Sequence, residues 1–257
     1  MKIFNLFILV CLLSTSLVHA ADSYSPSFED TAEFLKIPDE ATYVIAPAET
    51  WGYKFELINA NGTTKVLSES NANVLLKPAS TVKVFTGWWA FKLGYRTDAY
   101  LGQMLKDSVN TMAEATVDRM GGIDARDEYF RDQGLDITRL TFISADGSGL
   151  SYENQSTCQT QIDLLKLIKK DKDYTRFKKL LAQPKQKGTL KTRLTALTGK
   201  VFAKTGTLNK TASLSGFVET KRGTVVFCVL SDYLNRNLTS ARKKIDTMVI
   251  TNFNKVK

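Results

Sequence analysis

The stretch Leu76–Gly94 reads LKPASTVKVFTGWWAFKLG, a proline turn followed by an apolar run of helical spacing. Residues three apart share one face of a helix, so the Lys83 amine is expected beside the Ser80 hydroxyl. A serine hydroxyl is a weak nucleophile at neutral pH and needs a group that accepts its proton. Lysine can accept it where burial disfavours the charged form, and the apolar side chains that follow predict that burial.

The spacing of Ser80 and Lys83 is a weak signal when it stands alone. Ser240-Ala241-Arg242-Lys243 repeats it inside a predicted basic helix. The nucleophile hypothesis for Ser80 therefore depends on what other parts of the chain contribute.

The first twenty residues have the order typical of a secretory signal peptide. Lys2 precedes an apolar run at 3–13, and Val18-His19-Ala20 leads to Ala21. The apolar run is too short to span a bilayer core. We therefore expect cleavage after Ala20 and an exported, periplasmic or cell-envelope protein in which residues 21–257 form a single domain.

The only histidine, His19, lies within the segment expected to be removed. The remaining chain then lacks the base of a Ser-His-Asp hydrolase or a Cys-His protease, and the histidine ligands of zinc and iron sites. A serine enzyme with this sequence must use lysine. We expect no metal and no other cofactor.

Two cysteines follow the first twenty residues, Cys158 and Cys228. An exported protein permits a disulfide, but the spacing leaves both a bridge and two buried thiols open. We expect neither cysteine to be catalytic.

Basic residues exceed acidic ones along the chain. Without Lys2, 34 basic residues face 26 acidic ones, a net charge of +8. The densest clusters, at 166–172, 178–179 and 242–244, lie on predicted helices without interleaved aromatic residues or a nucleic-acid motif. We interpret them as solvated faces and expect no nucleic-acid partner. Attraction to anionic wall polymers or lipid head groups is the functional alternative, and nothing in the sequence directly supports contact with a membrane surface.

Hydrophobic patterns predict strands at both ends of the chain and helices between them. The predicted strands are 42–46, 53–58, 200–207, 212–219 and 224–231. The predicted helices are 30–35, 80–94, 99–120, 125–133, 159–170, 175–182 and 240–253. This order favours an α/β (α+β) fold with one five-stranded antiparallel sheet, flanking helices and a helical insert at roughly 84–186.

Two further polar motifs occur once each. Ser108-Val109-Asn110 falls inside predicted helix 99–120, where serine and asparagine are poor helix formers. Lys204-Thr205-Gly206-Thr207 lies on a predicted strand. With Ser80 and Lys83, these motifs match the Ser-x-x-Lys, Ser-Asp-Asn and Lys-Thr-Gly set of penicillin-binding proteins and class A β-lactamases, except for valine at the middle of the second motif.

The chain resembles the low-molecular-mass class C penicillin-binding proteins, which are serine D-alanyl-D-alanine carboxypeptidases. Five blocks carry the resemblance in that family's order: 76–83 (LKPASTVK), 104–114 (MLKDSVNTMAE), 146–154 (DGSGLSYEN), 188–193 (GTLKTR) and 203–217 (AKTGTLNKTASLSGF). The resemblance implies a β-lactamase/transpeptidase-like fold with a helical subdomain.

The resemblance also implies catalytic roles. Ser80 matches the acylated nucleophile and Lys83 its base. Ser108 matches the hydroxyl that relays a proton to the leaving amine, and Asn110 the amide that holds the substrate backbone. Lys204 is expected to add positive potential to the groove.

The remaining implied roles concern the bound peptide. Thr205 and Thr207 are expected to face the free carboxylate of a terminal D-alanine. Gly206 is expected to keep the strand edge clear for substrate, and the backbone amides of Ser80 and Thr207 to form an oxyanion hole. We interpret 146–151 (DGSGLS) as a loop that scaffolds the site, with Asp146 orienting its neighbours.

The implied activity is removal of the terminal D-alanine from peptidoglycan stem peptides through an acyl-enzyme on Ser80, with β-lactam antibiotics as covalent inhibitors. D,D-endopeptidase cleavage of cross-links uses the same chemistry and stays open. The alternatives are a serine β-lactamase and a non-turnover peptidoglycan-binding or β-lactam-sensing domain. No Glu-x-x-Leu-Asn segment between Asn110 and Lys204 positions a hydrolytic water, which disfavours the β-lactamase.

The chain departs from these relatives in one connection. They carry one or two extra domains between the Ser-x-x-Lys and Ser-x-Asn motifs, whereas only residues 84–107 intervene here. We therefore expect a more open groove, and the peptide specificity of the relatives does not transfer.

Overall fold

Strands from both ends of the described chain form one antiparallel sheet. The structure is a computed structural model that describes residues 48–257. The strands are β1 (Thr50–Asn59), β2 (Thr64–Ser70), β5 (Val201–Leu208), β6 (Thr211–Thr220) and β7 (Gly223–Asp232), in the order β2-β1-β7-β6-β5. The predicted signal peptide 1–20, helix 30–35 and strand 42–46 lie outside the described residues.

The prediction of a five-stranded antiparallel sheet is confirmed, but one of its strands is different. Strand β1 contains the predicted strand 53–58 and pairs with β7 from Thr50–Asp232 at one end to Asn59–Gly223 at the other. The turn at 59–62 leads to β2, which the hydrophobic pattern missed. Strand β2 is an edge strand with mostly exposed polar side chains, so it has no apolar alternation to reveal it.

Seven helices accompany the sheet in the described part of the chain. They are α1 (Lys83–Lys92), α2 (Asp98–Lys106), α3 (Asn110–Arg119), α4 (Gly122–Asp132), α5 (Cys158–Lys170), α6 (Tyr174–Lys178) and α7 (Leu238–Asn254). Two 3₁₀ turns, Ala79–Val82 and Thr195–Leu197, and a two-stranded ladder of β3 (Phe142–Ile143) and β4 (Gln155–Ser156) complete the structure. None of the helices in residues 48–257 is long and apolar enough to cross a membrane.

The single helix predicted at 99–120 is wrong. The structure contains α2 and α3, separated by a link at 107–109. Ser108 has a φ of 62° within this link, a backbone angle that no residue of a right-handed helix can adopt. The apolar periodicity runs through the link, so the pattern could not locate the break.

Two apolar layers hold the sheet between helices. On one face, side chains of β7 such as Val226 and Leu230 pack with Phe85 and Trp88 of α1. On the other face, Val225 joins the layer covered by α7. Helix α7, which contains the predicted helix 240–253, packs on this layer with Ile245, Val249 and Phe253 buried and Met248 partly buried.

The two cysteines meet inside the first layer. Cys158 at the start of α5 and Cys228 on β7 are both buried free thiols whose Sγ atoms lie 2.6 Å apart. This contact lies where the start of α5 packs against strand β7.

Candidate active site

The Ser80 turn is held in a strained conformation between strand β6 and its own helix. Ala79 has a φ of 49°, in the left-handed region that L-residues rarely adopt. The Pro78 carbonyl accepts hydrogen bonds from Thr81 Oγ1 at 2.8 Å and from Ser213 Oγ of β6 at 2.7 Å. These contacts fix the turn, and Ser80 remains partly exposed.

Lys83 is the first residue of α1, and its side chain reaches back to Ser80. Its Nζ lies 3.0 Å from Ser80 Oγ, as the helical spacing predicted. The same Nζ donates to Asn110 Oδ1 at 2.7 Å and to the Ser148 carbonyl at 2.6 Å. Two further oxygens therefore orient the Lys83 amine beside the serine hydroxyl.

The environment of Lys83 makes its amine easier to deprotonate. The side chain is fully buried, and burial lowers its pKa to about 8. The negative charges of Asp146 and Glu114 raise the pKa of Lys83, but the effect of burial is larger. The Lys83 amine can therefore exchange a proton near neutral pH.

The link between α2 and α3 delivers the second motif to the same place. Ser108 Oγ accepts a hydrogen bond from Lys204 Nζ at 2.8 Å, while Asn110 begins α3 and contacts Lys83. Val109 occupies the N-cap position of α3 and offers no side-chain hydrogen bond there. The short connection 84–107 thus does bring Ser108 and Asn110 to the two lysines.

Lys204 reaches the site from β5. Its side chain is completely buried, and its Nζ donates to Ser108 Oγ and to the Thr205 carbonyl, each at 2.8 Å. Burial, and then the charge of Lys83, hold its pKa well below the usual range. Both causes disfavour the charged form of the Lys204 amine.

The two threonines of the third motif are placed differently. Thr205 is buried and donates from Oγ1 to Thr189 Oγ1 at 2.8 Å. Thr207 is exposed, and its hydroxyl donates to the Gly206 carbonyl at 2.8 Å. Thr205 therefore lines the inner part of the strand and Thr207 its outer end.

Strand β5 is an edge strand, and its free edge begins at Thr205. The N–H and C=O of Ala203 both bond to Ala182, on the side away from β6. Backbone groups alternate direction along a strand, so the N–H groups of Thr205 and Thr207 also point away from β6. This direction suits the oxyanion hole of Ser80 and Thr207 amides, which stays a prediction.

The reason expected for Gly206 is wrong. A Cβ on this residue would lie 2.1 Å from Ser213 Oγ and 2.8 Å from the Pro78 carbonyl. The glycine therefore allows β5 to approach the Ser80 turn from behind. Its absent side chain makes room for protein rather than for substrate.

The loop at 146–151 supports the site, as its glycine-rich sequence predicted. The Asp146 carboxylate accepts hydrogen bonds from the backbone N–H groups of Ser148, Gly149 and Ser151. Gly149 has a φ of 79°, and a Cβ there would lie 1.9 Å from the Ala79 carbonyl oxygen. The loop therefore packs directly against the Ser80 turn and presents the Ser148 carbonyl to Lys83.

A family model supplies the identification. The model of the D-Ala-D-Ala carboxypeptidase 3 (S13) family matches residues 98–252, more than half of the chain. The chain belongs to this S13 family. No curated protein matches it in sequence.

Solved structures show the fold of this S13 chain. Penicillin binding protein 4 from Haemophilus influenzae, complexed with a β-lactam, is 26% identical over 55% of this chain and 36% of that one, with a TM-score of 0.50. A peptidoglycan endopeptidase from Bdellovibrio bacteriovorus is 24% identical over 62% and 43%, with a TM-score of 0.53. A β-lactamase from Sphaerobacter thermophilus is 18% identical over 79% and 89%, with a TM-score of 0.59.

These likenesses confirm the β-lactamase/transpeptidase-like fold and the penicillin-binding protein/β-lactamase superfamily. The chain spans only about a third of the H. influenzae protein and less than half of the endopeptidase. Together with the S13 match, they place the chain among the serine peptidases and hydrolases of this superfamily.

Two residues that support the site of this S13 chain, Glu114 and Arg126, could not be identified from the sequence. Glu114 accepts from the Gly147 N–H at 2.9 Å, and the buried Arg126 donates to Thr86 Oγ1 at 3.2 Å and Ser144 Oγ at 2.8 Å. Glu114 thus contacts the loop at 146–151 directly, and Arg126 contacts it through Thr86, whose Oγ1 donates to the Gly147 carbonyl at 2.7 Å. Charged residues on helices are ordinarily solvated, so only their tertiary contacts distinguish these two.

Proposed function

We propose that the chain is a penicillin-sensitive serine D,D-carboxypeptidase that removes the terminal D-alanine from peptidoglycan stem peptides. One observation carries the proposal: the Lys83 amine, with its pKa lowered to about 8, lies 3.0 Å from Ser80 Oγ. The convergence of Ser108 and Lys204 on the same groove adds a proton path for the leaving group. The S13 membership supports the class of bond cleaved.

Acylation begins at Ser80. Neutral Lys83 accepts the proton of Oγ as this atom attacks the carbonyl carbon of the penultimate D-alanine. The backbone N–H groups of Ser80 and Thr207 stabilise the negative charge that develops on the carbonyl oxygen. Asn110 holds the amide of the bound peptide and keeps Lys83 oriented through its Oδ1.

Release of the leaving group uses the second serine–lysine pair. As the C–N bond breaks, the Ser108 hydroxyl, which accepts a hydrogen bond from Lys204, donates its proton to the amine of the departing D-alanine. Ser108 regains a proton from Lys83, which had accepted it from Ser80, so the Lys83 amine is neutral again. Water then attacks the acyl-enzyme with Lys83 as base, which frees the shortened peptide and restores Ser80. The reaction needs no metal and no organic cofactor.

The free carboxylate of the substrate complements the polar end of β5. Thr205 and Thr207 provide hydroxyl donors for it. Its negative charge favours the protonated form of Lys204, whose pKa is depressed while no anion is near. Penicillins carry a carboxylate in the equivalent place, so they are expected to acylate Ser80 as substrate mimics.

Mass spectrometry with benzylpenicillin tests acylation. We expect a single adduct on Ser80 and none on Ser80→Ala, with Ser240→Ala as the matched control from the other Ser-x-x-Lys. An intact wild-type protein that never forms the adduct would overturn the proposal.

Turnover assays separate the alternatives. D-Alanine release from an N-acylated peptide ending in D-Ala-D-Ala supports a carboxypeptidase, and cleavage of cross-linked muropeptide dimers an endopeptidase. Nitrocefin hydrolysis at many turnovers per second would identify a β-lactamase. Acylation without release of any product would identify a sensor.

We also propose that the chain is exported to the periplasm or cell envelope. The charged, apolar and small-residue order of residues 1–20 supports removal of a signal peptide. Mass measurement of the protein isolated from its native envelope is expected to give an N-terminus at Ala21. Recovery of the full-length chain from the cytoplasm would contradict this.

A further inference from the structure

The guanidinium of Arg242 reaches the outer end of β5. Its Nη2 donates to Thr207 Oγ1 at 3.1 Å, and Thr207 is one of the two hydroxyls proposed to meet the substrate carboxylate. Sequence analysis placed Arg242 within a solvated basic cluster, because nothing in its spacing relates it to a strand 35 residues earlier. The structure instead places its guanidinium beside Thr207, at the outer end of β5.

Helix α7 holds Arg242 firmly. Asn237 caps the helix by accepting from the Ser240 N–H at 2.8 Å, and Ala241 and Ile245 are buried against the sheet. Arg193 ties the next turn down through an ion pair with Asp246 at 2.7 Å. The backbone that carries Arg242 is therefore anchored at both ends of its turn.

The charge of Arg242 is not used within residues 48–257. Asp246, one helical turn further along α7, pairs with Arg193 instead. Among the described residues no ion pair involves Arg242, and its side chain remains partly exposed. A guanidinium has five N–H donors, and the bond to Thr207 occupies one of them.

Lys204 and Arg242 differ in access. Lys204 is completely buried behind the motif and already donates to Ser108 and Thr205. Arg242 stands beside the exposed Thr207 with donors to spare. A carboxylate that accepts from Thr207 would therefore lie within reach of the Arg242 fork.

We propose that Arg242 binds the C-terminal carboxylate of the peptide substrate and the carboxylate of penicillins, together with Thr207. The proposal rests on the function proposed above and names a residue that sets its specificity. Guanidinium and carboxylate form two parallel charge-assisted hydrogen bonds, which a carboxamide or an ester cannot accept in the same way. Arg242 thus selects peptides whose final residue has a free carboxylate.

The test compares an acid with its uncharged counterpart. The rate of Ser80 acylation is measured with benzylpenicillin and with its methyl ester, for the wild type, Arg242→Ala, Arg242→Lys and Lys243→Ala. Arg242→Ala is expected to slow acylation by the acid about 10- to 100-fold and to leave the ester unchanged, since one charge-assisted contact is lost. Arg242→Lys keeps the positive charge but cannot form two parallel hydrogen bonds, so its acylation rate with the acid should lie between those of the wild type and Arg242→Ala. The acylation rate of the neighbouring Lys243→Ala should match the wild type.

Acid and ester reacting at equally reduced rates in Arg242→Ala would overturn the proposal, as would an unchanged preference for the acid. A wild type that is never acylated contradicts the enzymatic function instead. In that case calorimetry tests the role of Arg242 by comparing the binding of an N-acylated peptide that ends in D-Ala-D-Ala with the binding of its C-terminal amide. If Arg242→Ala loses the preference for the acid, the proposal is supported. If it retains that preference, the proposal is overturned.

The pH dependence separates Arg242 from Lys204. A guanidinium keeps its charge throughout the accessible range, so the part of the acid preference that is lost in Arg242→Ala should be the same at every pH from about 6 to 10. The part supplied by Lys204 should remain in Arg242→Ala and decline as this buried amine loses its proton. A decline with pH in the part that is lost in Arg242→Ala would overturn the assignment to Arg242.

Discussion

Two serine–lysine pairs form the centre of the site, and they are built in opposite ways. Lys83 Nζ lies 3.0 Å from Ser80 Oγ, three residues away in one turn of chain. Lys204 Nζ lies 2.8 Å from Ser108 Oγ, 96 residues away. Both lysines are fully buried, and no ion pair in residues 48–257 involves either.

The local pair depends on helix geometry, whereas the distant pair depends on the close packing of three segments. A helix that starts at Lys83 presents the amine to Ser80 wherever the helix goes. Lys204 meets Ser108 only because the helix breaks at 107–109 and because Gly206 lets β5 press against the Ser80 turn. We therefore expect the local pair to supply the base that accepts the Ser80 proton. The distant pair is expected to form only when all three segments are packed together.

Removal of the local base should have the largest effect. Lys83→Ala takes away the amine that lies beside the Ser80 hydroxyl and is proposed to accept its proton, so the acylation rate is expected to fall about 10³- to 10⁴-fold. Fluorescent penicillin labelling over time measures it. Lys243→Ala, from the other Ser-x-x-Lys, is the matched control, and similar losses in both variants would count against a specific role for Lys83.

Disruption of the distant pair should cost less. Ser108→Ala and Lys204→Ala are each expected to slow D-alanine release about 10²-fold, because proton transfer to the leaving amine is impaired. The double variant should be about as slow as either single variant, since a hydrogen-bonded pair acts as a unit. If the fold-loss of the double variant instead equals the product of the two single-variant losses, the two residues act separately.

The approach of β5 can be disturbed without touching either lysine. Gly206→Ala places a Cβ against Ser213 Oγ and the Pro78 carbonyl, so we expect a loss of about 1–3 kcal/mol in the free energy of unfolding. Urea unfolding measures it, and slower acylation should accompany it. Gly102→Ala is the control, because its Cβ would meet only Leu180 Cδ2 at 3.8 Å. Equal stability of the two variants would contradict the packing argument.

The pH profile should report the local pair. Burial lowers the pKa of Lys83 to about 8, and only the neutral amine accepts the serine proton. Because the neutral fraction rises as pH increases toward the pKa, acylation should accelerate about tenfold per pH unit below pH ~7 and level off above pH ~9. Stopped-flow measurements with a fluorescent penicillin test this. A flat profile from about pH 6 to 9 would show that Lys83 is not the titrating base.

Two elements show where prediction from the sequence fails for a physical reason. Strands 200–207, 212–219 and 224–231 were located within two residues of β5, β6 and β7, because buried apolar runs bounded by turns are strong local signals. The edge strand β2 and the break between α2 and α3 were missed. A polar edge strand has no apolar alternation that could reveal it, and a single residue with positive φ does not interrupt the apolar periodicity of the flanking helices.

The amino-acid sequence by itself predicted that the Lys83 amine lies beside the Ser80 hydroxyl, since residues three apart at the start of an apolar helix meet through local geometry. It also identified Ser108, Asn110 and the Lys-Thr-Gly motif as candidate site residues. Only the tertiary structure decided that Lys204 pairs with Ser108, that Gly206 faces protein, and that Arg242 reaches Thr207. These contacts join segments far apart in the chain, and their distances depend on how closely β5, α7 and the Ser80 turn pack together.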